Sequence, residues 1–136
     1  MRNITLFLFW WFLFFSISTS SADNEINLDV DENGEYDALS DGLLIIRYLF
    51  GLTGDDLVSG ILGSNSLVVE PIEIKSKLDS MRANLDVDGN GSVDALTDGL
   101  LILRYLFGLR GDSLVTQVIG TGAARNSSES IEDYVK

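Results

Sequence analysis

The chain predicts an all-α fold, two loop-helix repeats packed together. Three observations lead there. Residues 27–62 align without gaps on 84–119 at an offset of 57, with 25 of 36 positions identical, and a repeat of that quality sets the architecture before any single element does. Each copy opens on a loop in which short oxygen-bearing side chains recur at every second place. Each loop runs into the same apolar segment, Leu43 to Phe50 or Leu100 to Phe107, which ends on a glycine.

Taken in order, residues 1–22 read as a signal peptide. Arg2 precedes a dense apolar run from Ile4 to Phe15, and small residues follow up to Ala22, where cleavage is expected. The other reading is a retained membrane anchor, but the run is about a dozen residues long where a bilayer needs about 20. The expectation is a secreted or extracytoplasmic protein (extracellular, periplasmic or cell-surface) with no stable membrane insertion once the leader is removed.

The first repeat, 23–62, carries Asp29, Asp31, Asn33, Asp37 and Asp41; the second, 84–119, carries Asp86, Asp88, Asn90, Asp94 and Asp98. Ca²⁺ takes six to eight oxygens from such alternating positions. Gly34 and Gly91 stand sixth, where the chain reverses and positive φ suits a residue without a Cβ. The next residues, Glu35 and Ser92, can offer a backbone carbonyl. A plain Asx-turn loop would use the same residue types; two copies, each leading into the same helix, favour a cation. The expected cofactor is two Ca²⁺ ions.

Each apolar helix has a hydroxyl (Ser40 or Thr97) as its expected N-cap, with Asp41 or Asp98 in the first turn. Gly51 and Gly108 stop these helices, and short second helices follow Gly54 and Gly111. Residues 63–83 form a linker and a helix: Pro71 suits a first helical position, and Ile74, Leu78, Met81 and Leu85 recur at helical spacing. Residues 120–136 read as a flexible polar tail. Arg47 and Arg104 stand singly in greasy helices, as partner-facing charges or as snorkelling surface residues. The Tyr-Leu-Phe triplets 48–50 and 105–107 read as core between the repeats or as a docking face.

With 21 acidic against 9 basic residues the net charge is −12, which argues against nucleic acid and anionic membranes as partners. No cysteine is available to brace a thin core, and metal sites are the substitute a scaffold of this size would use. No histidine is present, so the usual zinc ligand and general base are missing. Gly111-Asp-Ser-Leu114 spells an esterase signature, but nothing could activate Ser113. The chain reads as non-catalytic.

Residues 86–96, Asp-Val-Asp-Gly-Asn-Gly-Ser-Val-Asp-Ala-Leu, followed by the helix to Gly108, resemble a type I dockerin half-module, as do residues 29–51. The resemblance implies a small all-α module of two EF-hand-like loop-helix units that docks calcium-dependently on a cohesin-like partner, often in polysaccharide degradation. Three features depart from that pattern. Ser40 and Thr97 stand at loop place twelve, where an acidic ligand is usual, with Asp41 and Asp98 one place further on. Either the loop is one residue longer, or the hydroxyl caps the helix while the Asp reaches the ion. The repeats are also set further apart, by residues 60–83, and nothing in these residues reads as a catalytic domain. A calcium-stabilised structural protein without a cohesin partner is the other reading.

Overall fold

The computed structural model describes residues 26–136; the expected leader lies outside them. Among the described residues the chain is all helix and loop, without strand, and no helix is long and apolar enough to cross a membrane. Six α-helices follow in order: α1 (Leu43–Leu49), α2 (Asp55–Val58), α3 (Pro71–Met81), α4 (Leu100–Leu106), α5 (Asp112–Val115) and α6 (Ser128–Val135). A short 3₁₀ turn, Arg82–Leu85, extends α3 towards the second loop.

The two main helices do not begin at their expected caps. A single π turn precedes each, Ala38–Gly42 before α1 and Ala95–Gly99 before α4, closed by Gly42 N–H to Asp37 O and Gly99 N–H to Asp94 O, both 3.1 Å. The N-caps are therefore Asp37 and Asp94, three residues upstream of Ser40 and Thr97. Their carboxylates accept the next free backbone N–H groups: Asp37 from Leu39 and Ser40, Asp94 from Leu96 and Thr97. At the other end Gly51 and Gly108 have φ of +86° and +81°. Leu52 N–H bonds to Arg47 O and Gly51 N–H to Tyr48 O, the Schellman ending that only an unhindered left-handed residue permits cheaply.

The structural unit is longer than the sequence repeat. In unit one, α3 packs on α1 and α2; in unit two, α6 packs on α4 and α5 in the same relation. Ile74 and Leu78 of α3 are fully buried, as is Ile131 of α6. Residues 63–83 are thus part of the first unit and not a spacer. Residues 120–136 are not a loose tail: a capping box at Ser127 and Ser130 opens α6, and Val135 joins Ile131 in the core.

The units meet crosswise. α1 packs against the π turn of the second unit, α4 against that of the first, and the two helices touch. The approach needs glycine: a Cβ on Gly42 would lie 2.8 Å from Leu103 Cδ1, and one on Gly99 3.2 Å from Ile46 Cγ1. Leu44, Ile45, Leu101 and Ile102 are fully buried in one continuous core.

Arg47 and Arg104 have a structural task. Arg47 Nη1 donates to the carbonyls of Asp56, Leu57 and Ser59, and Arg104 Nη1 to those of Ser113, Leu114 and Thr116. Each guanidinium covers the orphan carbonyls at the end of the short helix that follows. The Tyr-Leu-Phe triplets divide: Tyr48 is buried and donates to Asp79 at 2.8 Å, whereas Phe50 and Phe107 are more than half exposed.

Candidate metal centres

Two groups of three carboxylates form where the loops close, Asp29 with Asp31 and Asp41, and Asp86 with Asp88 and Asp98; within each, one ligand oxygen per residue lies within 4.8 Å of the others. These are loop places one, three and thirteen. Asp31, Asp41, Asp88 and Asp98 have no exposed surface. Like charges gathered this closely out of water are costly unless something offsets them.

The extra residue in each loop is absorbed by the π turn. An i→i+5 bond takes up one more residue than an α turn does, and this turns Asp41, not Ser40, towards the loop. Asp41 Oδ1 accepts Val30 N–H at 2.7 Å and Asp31 N–H at 3.5 Å, while Oδ2 accepts Asp37 N–H at 3.0 Å. Asp98 repeats this with Val87, Asp88 and Asp94 at 2.7, 3.2 and 3.0 Å. Ser40 Oγ instead donates to Asp37 Oδ2 at 2.6 Å, and Thr97 Oγ1 donates to Asp98 Oδ2 at 3.3 Å. Burial pushes the carboxyls of Asp41 and Asp98 above their ordinary value, against the pull of these N–H donors. Asp37 shifts the other way, lowered chiefly by the Ser40 hydroxyl.

Asp29 and Asp86 fold the loop tip. Asp29 accepts Asn33 and Gly34 N–H at 3.0 Å each, and Asp86 accepts Asn90 and Gly91 N–H at 3.1 and 2.9 Å. Asn33 and Asn90 are half-buried, their Oδ1 atoms accepting Glu35 and Ser92 N–H at 2.8 and 2.7 Å. The Glu35 and Ser92 side chains lie exposed on the rim. Of the residues expected from the sequence, the structure brings together Asp29, Asp31, Asp41, Asp86, Asp88 and Asp98, keeps Asn33 and Asn90 beside them, and commits Asp37 and Asp94 to helix capping.

Sequence reasoning missed the residues that close each loop from outside. Ser66 Oγ donates to Asp31 Oδ2 at 2.6 Å, and Leu67 and Val68 N–H donate to Asp31 O. The Lys77 ammonium bonds Asp29 O and pairs with Glu32 at 3.0 Å. In the second loop Gly120 N–H bonds Asp88 Oδ2 and Arg125 bonds three carbonyls. No spacing rule points to these, because they lie beyond the repeated stretch; only the isolated positive charges in an acidic chain hinted at them. The donor set of each centre is wholly oxygen and charged, which fits a hard divalent cation and not a soft one. Compared with protein-family models, with characterised proteins and with solved structures, the chain finds no match.

Proposed function

We propose that this is an exported, non-catalytic, dockerin-like module in which each loop holds one Ca²⁺, and that the loaded form docks on a cohesin-like partner. The observation that carries the calcium reading is the double convergence of loop places one, three and thirteen into buried carboxylate triads. Asp29, Asp31 and Asp41 would hold one ion, and Asp86, Asp88 and Asp98 the other. The half-buried Asn33 and Asn90 stand next to the triads as further oxygen donors. When bound, the ion supplies the positive charge that these carboxylates otherwise lack, so binding free energy becomes folding free energy.

The docking reading is supported by apolar side chains duplicated on the surface beside the two centres. Leu39 and Leu96, one in each π turn, are 64% and 63% exposed. Each sits between residues that a bound ion would fix, so metal would set its position. The structural reading, without a cohesin partner, is favoured by the continuous core in which the two units already consume each other's helices.

Calorimetric titration of metal-stripped protein tests the first step. Two calcium ions are expected for the natural sequence and one for Asp86→Ala with Asp88→Ala; two ions in that variant would show the assignment to be wrong. Docking is tested with purified cohesin modules. Capture in calcium, release by EGTA and loss on Leu39→Asp with Leu96→Asp are expected, and a failure of capture with both ions bound leaves the structural reading.

A further inference from the structure

The segment 120–135 grips the second loop at successive residues. Gly120 N–H donates to Asp88 Oδ2 at 2.6 Å, and Arg125 N–H donates to Asp88 O at 2.8 Å. The Arg125 guanidinium forks, with Nε donating to Val87 O at 2.6 Å and Nη2 to Asp86 O at 2.5 Å. Its carbon lies 3.8 Å from the centre of the Tyr134 ring, and the Tyr134 hydroxyl donates to Asn84 O at 3.1 Å. There is no slack: a Cβ on Gly89 would sit 3.0 Å from Arg125 Nη2, and one on Gly120 2.7 Å from Asp88 Oδ2. Buried Ile131 and Val135 hold the far end of the segment on α4 and α5.

We propose that residues 120–135 form a metal-sensing strap on the second loop, with Arg125 as its positioning residue. The inference rests on the calcium reading of that loop. The carboxylates of Asp86 and Asp88 meet at the centre, and the carbonyls of residues 86–88 accept from Arg125. Asp88 also turns Oδ2 to Gly120 N–H, so ion and strap need the same closed backbone. Two ligands that prefer one conformation strengthen each other equally. Calcium therefore docks the strap, and the docked strap raises calcium affinity. Loop one has a weaker counterpart in Lys77, a point charge on one carbonyl and one carboxylate, where arginine offers a planar fork.

A rival account makes Arg125 a mere counter-charge that stands in for the ion and competes with it. The two accounts differ in sign, so charge and geometry can be separated. The experiment is a calcium titration of the full chain by NMR, following the Gly34 and Gly91 amides as reporters of the two loops. Arg125→Ala is expected to weaken the second loop by about tenfold, as outer-shell partners of metal ligands do, and to leave the first unchanged. Arg125→Lys, which keeps the charge and loses the fork, is expected to fall nearly as far. In the natural sequence, tryptic cleavage after Arg125 should run at least about tenfold faster in EGTA than in calcium, since cleavage follows the open population. If the alanine variant will not fold, the lysine variant and the cleavage ratio carry the test. A lysine variant equal to the natural protein, an alanine variant that binds more tightly, or cleavage indifferent to calcium would overturn the strap while leaving two bound ions in place. A natural protein that binds no ion would overturn both readings.

Discussion

Asp41 and Asp98 show how one residue serves two masters. Each carboxylate stitches three backbone N–H groups across its loop, and each is buried enough that its charge is disfavoured. A folded-state pKa raised above the ordinary 3.8 means that the folded chain takes up these protons more readily than the unfolded one. Their contribution to the stability of metal-free protein is therefore fully present below that value and declines as pH rises through the shifted one. On the proposed calcium reading the ion would compete for the same sites and need the deprotonated form, so its affinity would climb over the same window. Thermal melts of stripped protein across the acidic range, compared with Asp41→Asn plus Asp98→Asn, should show the natural sequence losing ground to the double variant as pH rises. Gaining ground would mean that the N–H donors outweigh burial. The alternation of Asp and Asn made these triads legible in the sequence. Whether Ser40 or Asp41 closes the loop was not, because the choice depends on one i→i+5 hydrogen bond.

Among the elements, α1, α2, α4 and α5 were legible because the duplicated apolar runs and their closing glycines carry their own signals. α3 was legible from Pro71 and the spacing of Ile74, Leu78 and Leu85, all three of which pack in the core. α6 was read as tail because polar residues surround its apolar ones. Its signal was present but short: Ser127 as cap, then Ile131, Tyr134 and Val135 at helical spacing. The burial of Ile131 makes the difference measurable. Ile131→Ala should cost about 2–5 kcal/mol, as truncation of a fully buried aliphatic does, and lower the melting temperature accordingly. A loose tail would register no change, and a null result would remove α6 from the core.

At the scale of the whole molecule, the duplicated apolar helices predict repeats packed together, and the two units share one continuous core. Each π turn that carries a closing Asp is seated on the other unit's helix, Gly42 against Leu103 and Gly99 against Ile46 and Leu49. Emptying one loop therefore loosens a surface on which the other unit rests. Asp86→Ala with Asp88→Ala should lower the stability of the entire molecule in one cooperative transition and not melt the second unit alone. On the proposed calcium reading, the linkage forfeited would be about 2.7 kcal/mol with free calcium at 100 times the site's dissociation constant. Scanning calorimetry in calcium checks the transition, and amide exchange checks its reach: α1 and α4 should lose protection together. Two resolved transitions, with α1 still protected while α4 exchanges, would show that the crosswise glycine contacts do not couple the units. A single transition would mean that duplication built one core from two loops, each metal centre stabilising a helix that belongs to the other half.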